Sequence, residues 1–120
     1  MFVMRSWNAV VDVARVKSLF VGGFIMDIDE RKFIGTNLNL FLVFMVVYRE
    51  RSFSKAAACL YVRQPAISGS LVRLRQHFDD QLFVSAGPKG VRPTPKAKRI
   101  AELLLPAMST IQDVIDWKVL

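Results

Sequence analysis

The stretch from Ser52 to Phe78, SFSKAAACLYVRQPAISGSLVRLRQHF, constrains this chain most, because it encodes two short helices with almost no room between them. Ser54 is placed to cap the first, since its hydroxyl can accept from first-turn backbone N–H groups that have no partner inside the helix. Ala56, Ala57 and Ala58 keep that helix slim enough for close approach, and Leu60 is its apolar anchor. Gln64 and Pro65 open the second helix, where proline loses no hydrogen bond and its fixed φ is already helical. Ile67, Leu71, Leu74 and Phe78 then recur at steps of four, three and four, which puts them in one apolar stripe facing a core. Opposite lie Pro65, Ser68, Gly69, Val72, Arg73 and Gln76, a narrow face that starts with small residues and can enter a groove.

Charge is concentrated on the same region. Between Arg49 and Arg99 eleven basic residues stand against three acidic ones, a net of +8, whereas residues 1–48 sum to +1 and residues 100–120 to −2. A surface of this kind favours a polyanion, because binding releases counterions condensed on phosphates. The plainer alternative is a solvated charged face on an all-α domain, in which such helix pairs are common.

The remaining elements fit one domain of 120 residues with 52% apolar content, enough for a single core. A first helix begins near Asn37, a side chain able to cap it, and runs to about Arg49, with Phe41, Phe44, Met45 and Tyr48 as its inner face. Leu38, Leu40, Leu42, Val43, Val46 and Val47 leave it almost no polar side, so a second surface must cover it. A partner's helix and the chain's own core are equal candidates. After Phe78, Asp79-Asp80 ends the helix, QLFVS reads as a short strand, Ala86 to Gly90 reverse the chain, and Val91-Arg92-Pro93 returns. Thr94 and Pro95 then start a long helix whose Leu104/Ile111 and Ala107/Val114 pairs repeat at seven, a seam suited to a second copy. Pro106 interrupts that seam and is expected to kink it, and a helix folded back on its own core is the alternative.

Catalytic and metal chemistry find no foothold. The single cysteine, Cys59, sits among alanines and reads as a buried structural thiol, and His77 stands alone near a helix end, partly exposed. No metal site, cofactor or catalytic set is expected. Residues 1–36 are a separate extension of undetermined structure, either a helix or strand resting on the domain or sequence ahead of a start at Met26. Its uninterrupted apolar run, Leu19 to Met26, is too short to span a bilayer and makes a poor signal peptide, so a cytoplasmic protein without membrane contact is expected.

Four segments in order, LNLFLVFMVVYRERSFSKAA, QPAISGSLVRLR, DDQLFV and RPTPKA, make residues 38 to about 117 resemble the N-terminal region of the LysR-type transcriptional regulators, most closely their nodulation-regulator branch. The resemblance implies a mainly α fold: a winged helix-turn-helix over 37–94, three helices plus a two-stranded wing, then a linker and dimerisation helix over 95–117. It implies Gln64, Pro65, Ser68 and Arg73 as groove contacts and Ser54, Lys55, Lys89 and Arg92 as phosphate contacts, with Leu104, Ala107, Ile111 and Val114 pairing two copies. Against the family pattern, Arg63 replaces a capping Ser or Thr, Gly69 a longer polar residue and Ser85 a basic one, and the wing loop is one residue longer.

The function so implied is sequence-specific binding of double-stranded DNA by a homodimer at an inverted-repeat promoter site, as a transcription-regulating module. The alternative is a protein-interaction module that heterodimerises with a full-length regulator and blocks it. The resembled regulators continue into an effector-binding domain, whereas this chain stops at Leu120. An isolated or truncated DNA-binding module, binding no small-molecule effector, is therefore expected.

Overall fold

The computed structural model describes residues 17–21 and 24–117; residues 1–16, 22–23 and 118–120 lie outside the description. The chain divides into two units, Met1–Asn37 and Leu38–Leu120. In the first, strands β1 (Lys17–Val21) and β2 (Phe24–Ile28) pair antiparallel, with Lys17 opposite Ile28 and Val21 opposite Phe24. A single 3-10 turn, Glu30–Lys32, follows, capped by Asp29, whose carboxylate accepts from the Arg31 backbone N–H at 3.1 Å and from its guanidinium. The described part of this extension is therefore a strand pair and a 3-10 turn, with no α-helix.

The second unit is the expected winged helix-turn-helix. Helix α1 spans Asn39–Glu50, α2 Phe53–Leu60 and α3 Gln64–Phe78, and each ends on a left-handed residue that is not glycine: Arg51, Tyr61 and Asp79. Helix α1 starts two residues later than its sequence suggests. Leu38 occupies the cap position with helical φ and no side-chain cap bond, and its carbonyl accepts from the Phe41 N–H.

The inner face of α1 is also turned. Phe44 and Val47 are fully buried and Val46 nearly so, while Phe41 and Tyr48 pack half-buried against them and Met45 lines a groove toward the last helix. Helices α2 and α3 cover one side and that last helix another, which accounts for an α1 with almost no polar face. From α3, Ile67, Leu71 and Leu74 are fully buried in the core, each stabilising by about 2 kcal/mol relative to an exposed side chain.

Strands β3 (Phe83–Ser85) and β4 (Val91–Pro93) form the wing, with Phe83 opposite Pro93 and Ser85 opposite Val91, joined through a 3-10 turn at Gly87–Lys89. The strand begins two residues after Gln81 because Leu82 takes a φ of 64° and the Phe83 N–H bonds the Gln81 carbonyl at 2.7 Å, a tight turn of the γ kind. Complete burial of Leu82 offsets that strain. Helix α4 (Pro95–Ile115) starts as its sequence dictates, the Thr94 hydroxyl accepting from the Ala97 N–H at 3.1 Å, and runs unbroken through Pro106. Its first half lies on the domain's own core, with Ala97 and Ala101 buried and Ile100, Leu104 and Leu105 packed against them.

Candidate nucleic-acid interface

The outward side of α3 is what its periodicity leaves when Ile67, Leu71 and Leu74 turn inward. Gln64, Pro65, Ser68, Gly69, Val72, Arg73 and Gln76 are all exposed there, an open strip from the first turn to the last. Arg73 makes no side-chain hydrogen bond or ion pair among the described residues. Apart from its chain neighbours and the helix's own backbone, no atom lies within 4 Å of where a Cβ on Gly69 would sit, so the middle of the strip is open.

The segment leading into α2 is fixed by a cap, but not the expected one. Ser52, extended at φ −157°, accepts from the Lys55 N–H at 3.2 Å; Ser54 is already inside the helix, its Oγ 3.1 Å from that of Ser52. Only a residue with non-helical backbone can turn its hydroxyl onto the first-turn donors, and that residue is Ser52. Ser54 and Lys55 are exposed beside it. Cys59 corrects a second expectation: it is exposed rather than buried, its Sγ 3.6 Å from Arg49 Nη2, because Ala56 and Ala57 take the inward positions of α2. His77 is exposed, packing edge-on against Phe78 at 4.7 Å.

The wing docks against this same segment. The Val91 N–H donates to the Arg51 carbonyl at 3.0 Å, and Gly90 lies so close that a Cβ there would meet that oxygen at 2.2 Å and the Ser52 Cα at 3.8 Å. Lys89 and Arg92, both exposed on the wing, therefore flank the residues that lead to Ser54 and Lys55. The docked wing thus brings the strand that holds Arg92 and the turn that holds Lys89 to the segment leading into Ser54 and Lys55, more than thirty positions away in sequence.

Three further side chains tie α3, the approach to the wing and the start of α4 together. Arg75 donates from Nε to the Gln81 carbonyl at 2.7 Å and from Nη2 to that of Phe83 at 3.0 Å. The Asp80 carboxylate accepts from the Leu82 N–H at 2.8 Å and the Thr94 hydroxyl at 2.7 Å, and Lys96 donates to the Phe78 carbonyl. The Thr94 hydroxyl, then the Leu82 N–H, hold the Asp80 carboxyl below the usual carboxylate range, because both bonds favour the charged form. Neither role is legible in the sequence: Arg75 reaches two backbone carbonyls, and Asp80 a backbone N–H and the hydroxyl of Thr94 fourteen positions on, groups that only the fold brings near.

Two exposed residues stand in the turn between α2 and α3, one of them, Arg63, marked in the sequence only as a missing cap. Tyr61 is 95% exposed and Arg63 is exposed at the cap position of α3 with no side-chain cap bond. The residues expected to form a dimer seam divide: Leu104 packs on the domain's own core, while Ala107, Ile111 and Val114 are exposed, as are Leu103, Ile115 and Trp117. Between α1 and this half of α4 lies an open groove of about 490 Å³, lined by Met45, Tyr48, Leu105, Met108 and Gln112 among others. Among the described residues no helix is long and apolar enough to cross a membrane.

Comparison with known proteins returns the same region. Residues 38–98 match the bacterial regulatory helix-turn-helix protein, lysR family. The chain is 37% identical to nodulation protein D 1 of Mesorhizobium japonicum over 87 residues, covering 72% of this chain and 27% of that protein. It is 42% identical to the HTH-type transcriptional activator NagR of a Ralstonia species over 82 residues, covering 68% of this chain and 27% of that one. Thus it spans about a quarter of the length of these curated relatives. Among solved structures, a probable transcriptional regulator of Pseudomonas aeruginosa superposes with a TM-score of 0.66 at 34% identity, over 72% of this chain and 29% of that one. The BenM DNA-binding domain in complex with catB site 1 DNA superposes at 0.60 and 25% identity, over 68% of this chain and 86% of that one.

Proposed function

The chain belongs to the lysR family of bacterial helix-turn-helix regulators, whose DNA-binding domain it carries, and we propose that it uses α3 and the wing to bind double-stranded DNA at specific sequences and so regulate transcription. It is a regulator's DNA-binding domain and not an enzyme. The observation that carries the reading is the exposed strip on α3, with the wing docked against the segment leading into α2. A helix of this width enters the major groove, where Gln64 can pair with a base edge and Ser68 can donate or accept. Arg73 lies along the same strip. Lys55, Lys89 and Arg92, with the Ser54 hydroxyl, would hold the bordering phosphates, which fixes register without reading sequence. A solved complex of a related domain with DNA supports the assignment.

The working form is a homodimer on an inverted repeat. Ile111 and Val114 stand half-exposed or more on a 21-residue helix whose first half is already anchored, so that a second copy along α4 would cover what the chain itself leaves bare. Two α3 helices related by a twofold would then meet half-sites about one helical turn apart or a multiple of it. A regulator of this kind acts where the DNA is, in the cytoplasm.

Binding of the purified chain to duplex DNA across a salt series is the test. Affinity should fall steeply, by roughly 0.9 in log K per log unit of salt for each phosphate neutralised, and a duplex enriched from a random pool should bind more tightly than a mixed-sequence one. A flat salt response, or no binding by a folded and dimeric chain, would leave a protein-interaction role instead.

A further inference from the structure

The turn between α2 and α3 carries two side chains that the fold does not use. Tyr61 sits in left-handed backbone, φ 56° and ψ 41°, where Val62 closes α2 by donating to the Ala57 carbonyl at 3.0 Å. Asparagine, aspartate or glycine fit that conformation with less strain than a bulky aromatic. Nor does burial account for the ring, which is 95% exposed. Two positions on, Arg63 occupies the cap of α3 with φ −86° and ψ 153°, the geometry in which a short acceptor would satisfy the first-turn N–H groups. A guanidinium has no acceptor, and this one makes no hydrogen bond or ion pair among the described residues. Stability is thus forgone twice within three residues. What both positions gain is a hydrogen-bond donor, a phenolic O–H and a permanently charged fork, at the mouth of the helix that carries Gln64.

We propose that Tyr61 and Arg63 form a phosphate clamp at the entrance of α3, gripping the sugar-phosphate strand that borders the groove this helix enters. The inference rests on the DNA-binding reading above. With Gln64 at a base edge, Arg63 is one residue and Tyr61 three residues away along a chain that advances at most about 3.8 Å per step. The groove is only about 12 Å across, so its phosphate wall lies within reach of both side chains. Arginine donates to phosphate oxygens through two parallel N–H bonds, and the tyrosine hydroxyl donates to an ionised acceptor, the stronger class of hydrogen bond. A serine at position 63 would cap the helix and contact a phosphate weakly; arginine exchanges the cap for a longer and charged reach.

The experiment compares the full chain with Arg63→Ser, Tyr61→Asn and Tyr61→Phe, with Lys89→Ala as a wing control, on an enriched duplex and on a mixed-sequence duplex. Arg63→Ser should raise the thermal midpoint by restoring a cap, yet weaken binding about tenfold on both duplexes and lower the salt slope by about 0.9. Tyr61→Asn should likewise fold at least as well and bind severalfold more weakly, and Tyr61→Phe should match it, because the hydroxyl makes the contact. Neutral methylphosphonates placed one at a time along the groove edge should weaken the parent at one position and leave Arg63→Ser insensitive there, a coupling that a merely structural residue would not produce. Parent-like affinity and slope in Arg63→Ser and Tyr61→Asn, while Lys89→Ala weakens binding, overturns the clamp and spares the DNA-binding reading. Loss confined to the enriched duplex also overturns it, in favour of a base contact. If the parent itself shows no salt-dependent binding, the reading falls and the clamp with it.

Discussion

Gly90→Ala should detach the wing. Gly90 has φ 90° and ψ −121°, a region that side chains almost never adopt, and an added Cβ would lie 2.2 Å from the Arg51 carbonyl oxygen. That oxygen is a backbone atom in a left-handed residue and is the acceptor for the Val91 N–H, so it cannot swing away as a flexible side chain would. Holding alanine in such backbone costs about 1–3 kcal/mol, and breaking the Val91 bond adds about 1 kcal/mol. The sum, about 2–4 kcal/mol, is a large part of the roughly 5–15 kcal/mol that keeps a domain folded. The domain has a cheaper escape, which is to let the short β3–β4 pair lift from the α1–α2 junction. Urea denaturation together with amide exchange at Val91 separates the two outcomes. A lowered midpoint means the wing stays docked under strain, and lost Val91 protection at a nearly unchanged midpoint means it lifts. In either case DNA affinity should drop on every sequence, because Lys89 and Arg92 lose the position that docking of the wing against Arg51 and Ser52 gives them. Unchanged midpoint and unchanged Val91 protection would refute the argument from the glycine contact.

Gly69→Ala should act in the opposite sense, raising stability by about 0.5–1 kcal/mol in urea denaturation, since the site is helical, exposed and open for 4 Å around the new methyl. Gln64→Ala should cost about 1–3 kcal/mol on an enriched duplex and much less on random DNA; equal losses in a titration of both would mean that Gln64 touches backbone. The Asp80 carboxyl is held low in the folded state, so its stabilisation is complete above its unfolded value near 3.9 and is lost as pH falls through the lower folded value. Asp80→Asn should accordingly flatten that acid limb of the stability curve, and an unaltered limb in acid titrations followed by circular dichroism would count against the assignment. Ile111→Lys should leave the helix-turn-helix folded but shift sedimentation toward monomer and weaken full-site binding, because the second half-site is no longer presented at high effective concentration.

What could be read in the sequence was whatever repeats along it. The 4-3-4 spacing of Ile67, Leu71, Leu74 and Phe78 fixed the buried side of α3 and, by elimination, its exposed strip, and Thr94-Pro95 marked the start of α4. Where two neighbouring residues could do the same job, sequence alone chose poorly. Ser52 and Ser54 are both able to cap, and the backbone angle decides; Asn37 is a better capping residue type than Leu38, yet Leu38 holds the cap position of α1. Cys59 was misjudged because an apolar neighbourhood in sequence is not one in space, since α2 buries only Ala56 and Ala57. Contacts to backbone carbonyls were invisible altogether. Nothing in the residue types says that Arg75 will reach Phe83 or that Val91 will find Arg51.

Those carbonyl contacts change what the basic charge can do. Of the eleven basic residues between Arg49 and Arg99, four are engaged inside the domain. Arg49 donates to Glu50 and Cys59, and Arg51 donates to the Tyr48 carbonyl while lying 4.9 Å over its ring. Arg75 and Lys96 tie down the wing and the end of α3. Seven remain: Lys55, Arg63, Arg73, Lys89, Arg92, Lys98 and Arg99, and the charge of Arg99 is already partly answered by Asp80. Counterion release counts only charges that reach phosphates, so the unbonded cations of this segment can contribute a slope of at most about 6 in log K against log salt, well below what its eleven basic residues suggest. The residues with free donors are also the ones grouped along the α3 strip, its entrance turn, the wing and the start of α4. Net charge draws the chain to a polyanion; which lysines and arginines the fold leaves unbonded decides where on its surface that polyanion lies.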